Sequence, residues 1–159
     1  MPDSSLLTTA HARHLLRRTG FGAPRAQVAA IVSGDRTRSD VVGELLAFVP
    51  AGFAPGGNDK DKQHDKWVKY MLKAKYPLQE KLVLFWHDHF ATGISKVQNG
   101  TLMGQQNQLL RRGCKGSFRD LMKAMNTNPA MMEYLDTVRN EKAIPNENYA
   151  RERSSSRSA

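Results

Sequence analysis

Apolar residues recur along most of this chain at the three- and four-residue spacing of a helix, and no segment shows the period of two that a half-buried strand requires. That pattern restricts the chain to an all-α fold, an irregular array of several helices. The start and stop signals fall between the periodic segments. Ser4, Ser5, Thr8 and Thr9 offer N-cap oxygens to a first helix that runs to about Arg18 and turns Ala12, Leu15, Leu16 and Thr19 inward. Gly20-Phe21-Gly22 ends it, with Phe21 expected to anchor the turn. Pro24 suits the first turn of a second helix over residues 24–32. Ser39 is expected to cap a third, whose apolar line is Val42, Leu45, Leu46 and Val49. Residues 50–59, PAGFAPGGND, read as a loop.

A basic helix over residues 60–75 follows, and then the most apolar segment, residues 78–91. Leu78, Leu82, Phe85 and His89 stack on one line of that helix, widened by Val83, Trp86 and Phe90. Leu102, Gln106, Leu109 and Leu110 mark another helix ending at Gly113. Ser117 caps a short one, and Asn128-Pro129 restarts the chain into Met131, Met132, Tyr134 and Leu135. Asn146 and Glu147 provide a cap and an acidic first turn for a last helix. No apolar face develops after Tyr149, because the sequence turns into Arg153 and a serine-rich end, so a disordered tail is expected over residues 153–159.

The 159 residues suit one domain with a core of its own. No apolar run approaches the roughly 18 residues of a spanning helix. No secretory signal is visible at the start, so the chain as written reads as cytoplasmic. Its single cysteine, Cys114, excludes an internal disulfide and a multi-cysteine zinc module.

The net charge of +9 is concentrated in the middle, where residues 59–126 hold 13 basic and 6 acidic side chains. Part of that excess is a stripe. At about 100° per residue, Lys62, Lys66, Lys69 and Lys73 share one narrow sector of the basic helix, opposite Trp67, Met71 and Ala74. A solvated face with snorkelling lysines explains the stripe. The sharper reading is a patch for an anionic surface, nucleic acid or lipid. No zinc finger, RNP-type aromatic motif or glycine-rich RNA loop supports sequence readout, which argues against nucleic acid.

Trp86-His87-Asp88-His89-Phe90 is the densest group of titratable side chains inside an apolar segment. Histidines at i and i+2 diverge by about 200°, so this pair cannot chelate one metal from its own helix. His89 is expected at the centre of the apolar face, buried. His87 is expected on the polar side, in the sector of Glu80. A buried neutral histidine bonded to a carbonyl or carboxylate is the plain reading of His89; a ligand or acid–base role with partners from elsewhere is the alternative. Gln105, Gln106 and Asn107 read as inter-helix hydrogen bonding or as a polar pocket wall. No nucleophile elbow, phosphate loop, zincin pair or Cys–His arrangement is present. The residues alone name no reaction.

Four separated motifs carry a resemblance: residues 14–22 (HLLRRTGFG), 77–92 (PLQEKLVLFWHDHFAT), 128–136 and 145–152 (PNENYARE). In this order and spacing they resemble the bacterial domain of unknown function 1800 family. The likeness covers residues from about His11 to Glu152. It implies a largely helical protein without an established activity. Many members look exported and are encoded beside a sulfatase-like family, so a co-encoded sulfatase-like protein is the partner the resemblance implies. Members are longer and continue a Leu- and Phe-rich helix beyond the last motif. Residues 1–152 are therefore expected to be the N-terminal part of a larger helical domain, truncated after Glu152, with apolar surface exposed for self-association. The motif positions His14, Arg17, Arg18, Trp86, His87, His89, Asn146, Glu147, Tyr149, Arg151 and Glu152 are the candidate functional residues. The expected role is a binding or assembly module acting with a partner protein. The alternative is part of a metal-dependent or hydrolytic enzyme in which His89 meets the segment from Asn146 to Glu152.

Overall fold

The computed structural model describes residues 5–53, 57–137 and 151. Among them are nine helices: α1 (Thr9–Thr19), α2 (Arg25–Ser33), α3 (Arg38–Leu46), α4 (Lys60–Lys73), α5 (Pro77–His89), α6 (Ile94–Val97), α7 (Gly100–Gly113), α8 (Phe118–Asn126) and α9 (Pro129–Tyr134). The extended content among these residues is one isolated antiparallel bridge, Leu6 to Thr37. The all-α reading holds. No described helix is long and apolar enough to cross a membrane.

Most caps fall where the sequence puts them. The side chains of Thr8, Ser117 and Asn128 each accept a hydrogen bond from a backbone N–H in the first turn of α1, α8 and α9. At α3 the expectation of Ser39 is wrong. Thr37 is the cap, in a reciprocal box: Asp40 N–H donates to Thr37 Oγ1 at 3.2 Å and Thr37 N–H to Asp40 Oδ2 at 3.0 Å. The buried residue of α3 is Val41, while Leu46 and Val49 are 48% and 75% exposed.

Two apolar cores result. Leu7, Ala12, Leu16, Val28, Ile31 and Val41 join α1, α2 and α3. Phe48, Val83, Leu110, Cys114, Leu121, Met125 and Met131 join α5, α7, α8 and α9. Two lysines tie one core to the other. Lys81 of α5 donates to the carbonyls of Arg17 (2.9 Å) and Gly20 (2.8 Å) at the end of α1. Lys115 donates to Leu46 (2.8 Å) and Phe48 (2.7 Å) at the end of α3. Cations at helix C-termini satisfy orphan carbonyls and meet the negative end of the dipole. The turn after α1 is held by these bonds, and Phe21, expected as its anchor, is 46% exposed with its ring 5.9 Å from the Lys81 ammonium. The fit at Gly20 is close, since a Cβ would lie 3.2 Å from both Leu16 O and Pro77 Cβ.

α5 and α7 pack around a buried ion pair. Glu80 and Arg111 have side chains only 1% exposed, and the guanidinium meets the carboxylate twice, at 2.6 and 2.5 Å. Arg111 Nε donates to Asn107 Oδ1 at 2.8 Å, and Trp67 Nε1 to Glu80 Oε2 at 3.3 Å. The rings of Phe53 and Tyr70 lie 5.3 and 5.0 Å from the guanidinium carbon. A charge left alone here would face a large desolvation cost. Arg111→Met or Glu80→Leu should each lower unfolding free energy by about 3–5 kcal/mol. The double variant should recover a substantial part of that loss. Urea unfolding of all four proteins measures it, and single-variant losses that simply add would show that the two residues are not coupled.

Candidate functional site

The ion pair decides which way α5 faces. Its buried residues are Gln79, Glu80 and Val83, so the packed side is centred roughly a third of a turn from the expected line of Leu78, Leu82, Phe85 and His89. Phe85 is consequently 57% exposed. Hydropathy places a glutamate outside; here a buried arginine partner draws it in. The correction carries down to the two histidines, which come out on opposite sides of the helix.

His89, expected buried at the centre of an apolar face, is half-buried in a cluster of rings. Its ring stacks on Phe85 at 6.2 Å and meets Trp86, Phe90 and Phe118 edge-on at 5.6, 5.2 and 6.0 Å. Trp86 also stacks on Phe118 at 5.6 Å. Its indole N–H donates to the Cys114 carbonyl at 2.9 Å, which fixes the ring that the others surround. His89 Nε2 is enclosed without a hydrogen-bond partner among the described residues. The outer rings, Phe85 and Phe118, are 57% and 41% exposed, so the cluster forms an aromatic face on α5 and α8.

His87, expected on the polar side, turns toward the protein. Its ring stands edge-on to Trp67 at 5.3 Å and lines a pocket of about 200 Å³ between α4, α5, α6 and α7. Burial pushes the His87 pKa below the usual histidine value, against the opposing influence of Asp88. Asn107, 7% exposed, lines the pocket and is bonded to Arg111 of the ion pair. Of the three amides singled out in the sequence, Gln105 is exposed. Gln106 Nε2 donates to Thr92 Oγ1 and Asn128 Oδ1, at 2.9 and 3.2 Å. Asn107 is the pocket wall. Glu80, Arg111 and Gln63 were not singled out by sequence reasoning as partners or pocket residues. The available signal was Glu80, Val83 and His87 at i, i+3 and i+7, a helical face in its own right.

The remaining candidates do not converge on this place. His14, Arg17 and Arg18 are exposed on α1, where His14 and Arg18 border a separate concavity with His11 and Arg38. Lys62, Lys66, Lys69 and Lys73 are exposed along α4 as expected, with Lys62 paired to Asp59 at 3.0 Å. Arg151 is helical and exposed. Asn146, Glu147, Tyr149 and Glu152 lie outside the described residues, as does the tail. Among the described residues no group of three or more His, Cys, Asp or Glu side chains could hold a metal ion. Burial raises the pKa of the Cys114 thiol, which sits in the larger core.

A family model described as protein of unknown function (DUF1800) matches residues 14–153. No curated protein and no solved structure matches the chain.

The His87 shift makes a prediction about pH. Below about pH 6.5 the unfolded chain takes up a proton on this ring that the folded chain resists, so stability is lost as pH falls through and below that value. Above it the ring is neutral in both states and contributes no slope. The melting temperature should therefore fall less between pH 7 and 5 in His87→Leu than in the parent. Ring NMR signals of His87 that titrate at or above the ordinary value would contradict it.

Proposed function

We propose that this chain, which belongs to the DUF1800 family of proteins of unknown function, works as a binding module that docks on a partner protein through the aromatic face of α5 and α8. The observation that supports this is the contiguity of Phe85, Trp86, His89, Phe90 and Phe118 with two of the rings open to solvent. Connected aromatic anchors of this kind dominate protein interfaces, because each carries a large apolar area at little rotamer cost. Trp86, held by its bond to the Cys114 carbonyl, presents the centre of the face without reorganisation on binding. The family resemblance nominates the first partner to try, the co-encoded sulfatase-like protein.

Phe85→Ser with Phe118→Ser should weaken that complex by roughly 30-fold or more, the loss of a hot spot worth about 2 kcal/mol. The stability cost should stay modest, about 1–2 kcal/mol and mostly from Phe118, which is 41% exposed and stacks on Trp86, and the double variant should remain folded. Titration calorimetry with the purified pair reads the first effect and urea unfolding the second. Absence of a complex with the parent protein, or equal affinity of both proteins, would defeat the proposal.

A second reading rests on the enclosed, unpartnered Nε2 of His89. In it the imidazole is a ligand or an acid–base group, completed by Asn146, Glu147 and their neighbours. If so, zinc should raise the melting temperature of the parent and not of His89→Ala.

A further inference from the structure

We propose that the pocket behind α5 is a binding site for a small neutral molecule: one ring, carrying a single group that both accepts and donates a hydrogen bond. It lies on the side of α5 opposite the aromatic face and needs no protein partner. Its volume, about 200 Å³, is somewhat larger than the roughly 150 Å³ cavity that holds a benzene. Phe53, Trp67, Ile94 and Met103 give it apolar walls suited to a ring.

Its polar groups are few and in place. Arg111 Nε takes the Oδ1 of Asn107, at 2.8 Å, which fixes the amide and leaves its NH₂ without a bond to any described residue. Asn107 is 7% exposed and lines the pocket, so that NH₂ is a donor available to a ligand oxygen. His87 lines the same pocket, and burial and the neighbouring Asp88, not a hydrogen bond to a described residue, are what act on its ring. As a neutral imidazole it offers one donor and one acceptor. A carboxamide or a phenolic hydroxyl satisfies a donor and an acceptor together.

The charge of the ligand follows from what surrounds the site. Among the described lining residues the two histidines, His87 and His64, are the titratable ones. His64 is exposed, beside Asp65 at 3.8 Å. The strong cation nearby, Arg111, is already matched by the two oxygens of Glu80. A carboxylate ligand would enter without a counter-charge and give up its hydration, which is costly. A neutral ring avoids that cost.

The test uses the whole chain with benzamide, phenol and benzoate as probes, followed by ligand-detected NMR and calorimetry near pH 7.5. Benzamide or phenol should bind, and benzoate at least about tenfold more weakly. His87→Leu keeps the volume and removes the imidazole, and should weaken the neutral probes about tenfold. Ile94→Trp, in the wall supplied by the four-residue α6, should abolish binding by occupying the space. Phe85→Ser with Phe118→Ser should leave probe binding unchanged, which separates this site from the aromatic face. No binding of either neutral probe at 10-millimolar order, benzoate binding as tightly as benzamide, or unchanged affinity in Ile94→Trp would each overturn the proposal. If His87→Leu does not fold, Ile94→Trp and the benzamide–benzoate ratio still decide it.

Discussion

The bidentate pair of Glu80 and Arg111 is the interaction on which the arrangement of this protein depends. A carboxylate and a guanidinium at 1% exposure can persist only if nearly every lone pair and N–H finds a partner. Here Trp67 and Asn107 take the remaining positions, and the rings of Phe53 and Tyr70 flank the cation. The pair therefore fixes more than two side chains. It sets the rotation of α5, brings α4 against it through Trp67, and sets α7 in register through Asn107 and Arg111, one turn apart. Such a network adds little net stability compared with an apolar core, but it tolerates only one geometry.

The N-terminal half of α5 combines apolar packing, through Leu78, Leu82 and Val83, with an unusual set of polar contacts. Gln79 exchanges two hydrogen bonds with the backbone of Ala51, its Oε1 accepting at 3.1 Å and its Nε2 donating at 3.0 Å. Glu80 reaches α7 and α4, and Lys81 caps α1. Three consecutive side chains thus address three different neighbours. Gly100 gives the same close fit at the start of α7, where a Cβ would come within 2.8 Å of the Asn58 carbonyl. Its own carbonyl accepts from Gln63 at 3.1 Å, tying α7 to α4 beside the pocket.

How much of this was legible in the sequence depends on the range of the interaction. Caps are local: Thr8, Ser117 and Asn128 bond to N–H groups within three residues, and the sequence locates them. Ser39 failed because Thr37 and Asp40 form a box that a single-residue reading passes over. The face of α5 failed for a different reason. Phe85 looks like core and Glu80 like surface until Arg111, 31 residues later, is known to meet that carboxylate. Periodicity identified a helix with two possible faces, and a long-range ion pair chose between them. The family motifs reach across residues 14–153, yet motif membership did not tell His87 from His89, since the two differ only in which neighbour each side of the helix meets.

The last turns of α5, whose Trp86 and Phe90 pack against the larger core, present two unlike sides. On one, His89 and Trp86 lie among phenylalanines that remain open to solvent. On the other, His87 stands edge-on to Trp67 above an amide held by Arg111. Recognition gains most from groups that do not have to be ordered on binding. Each side has one group held in that way: Asn107 by its bond from Arg111 on the pocket side, and Trp86 by its bond to the Cys114 carbonyl on the aromatic side. The ion pair thus turns an ambiguous amphipathic helix into a fixed platform, and the chemistry of each side follows from the rotation it imposes.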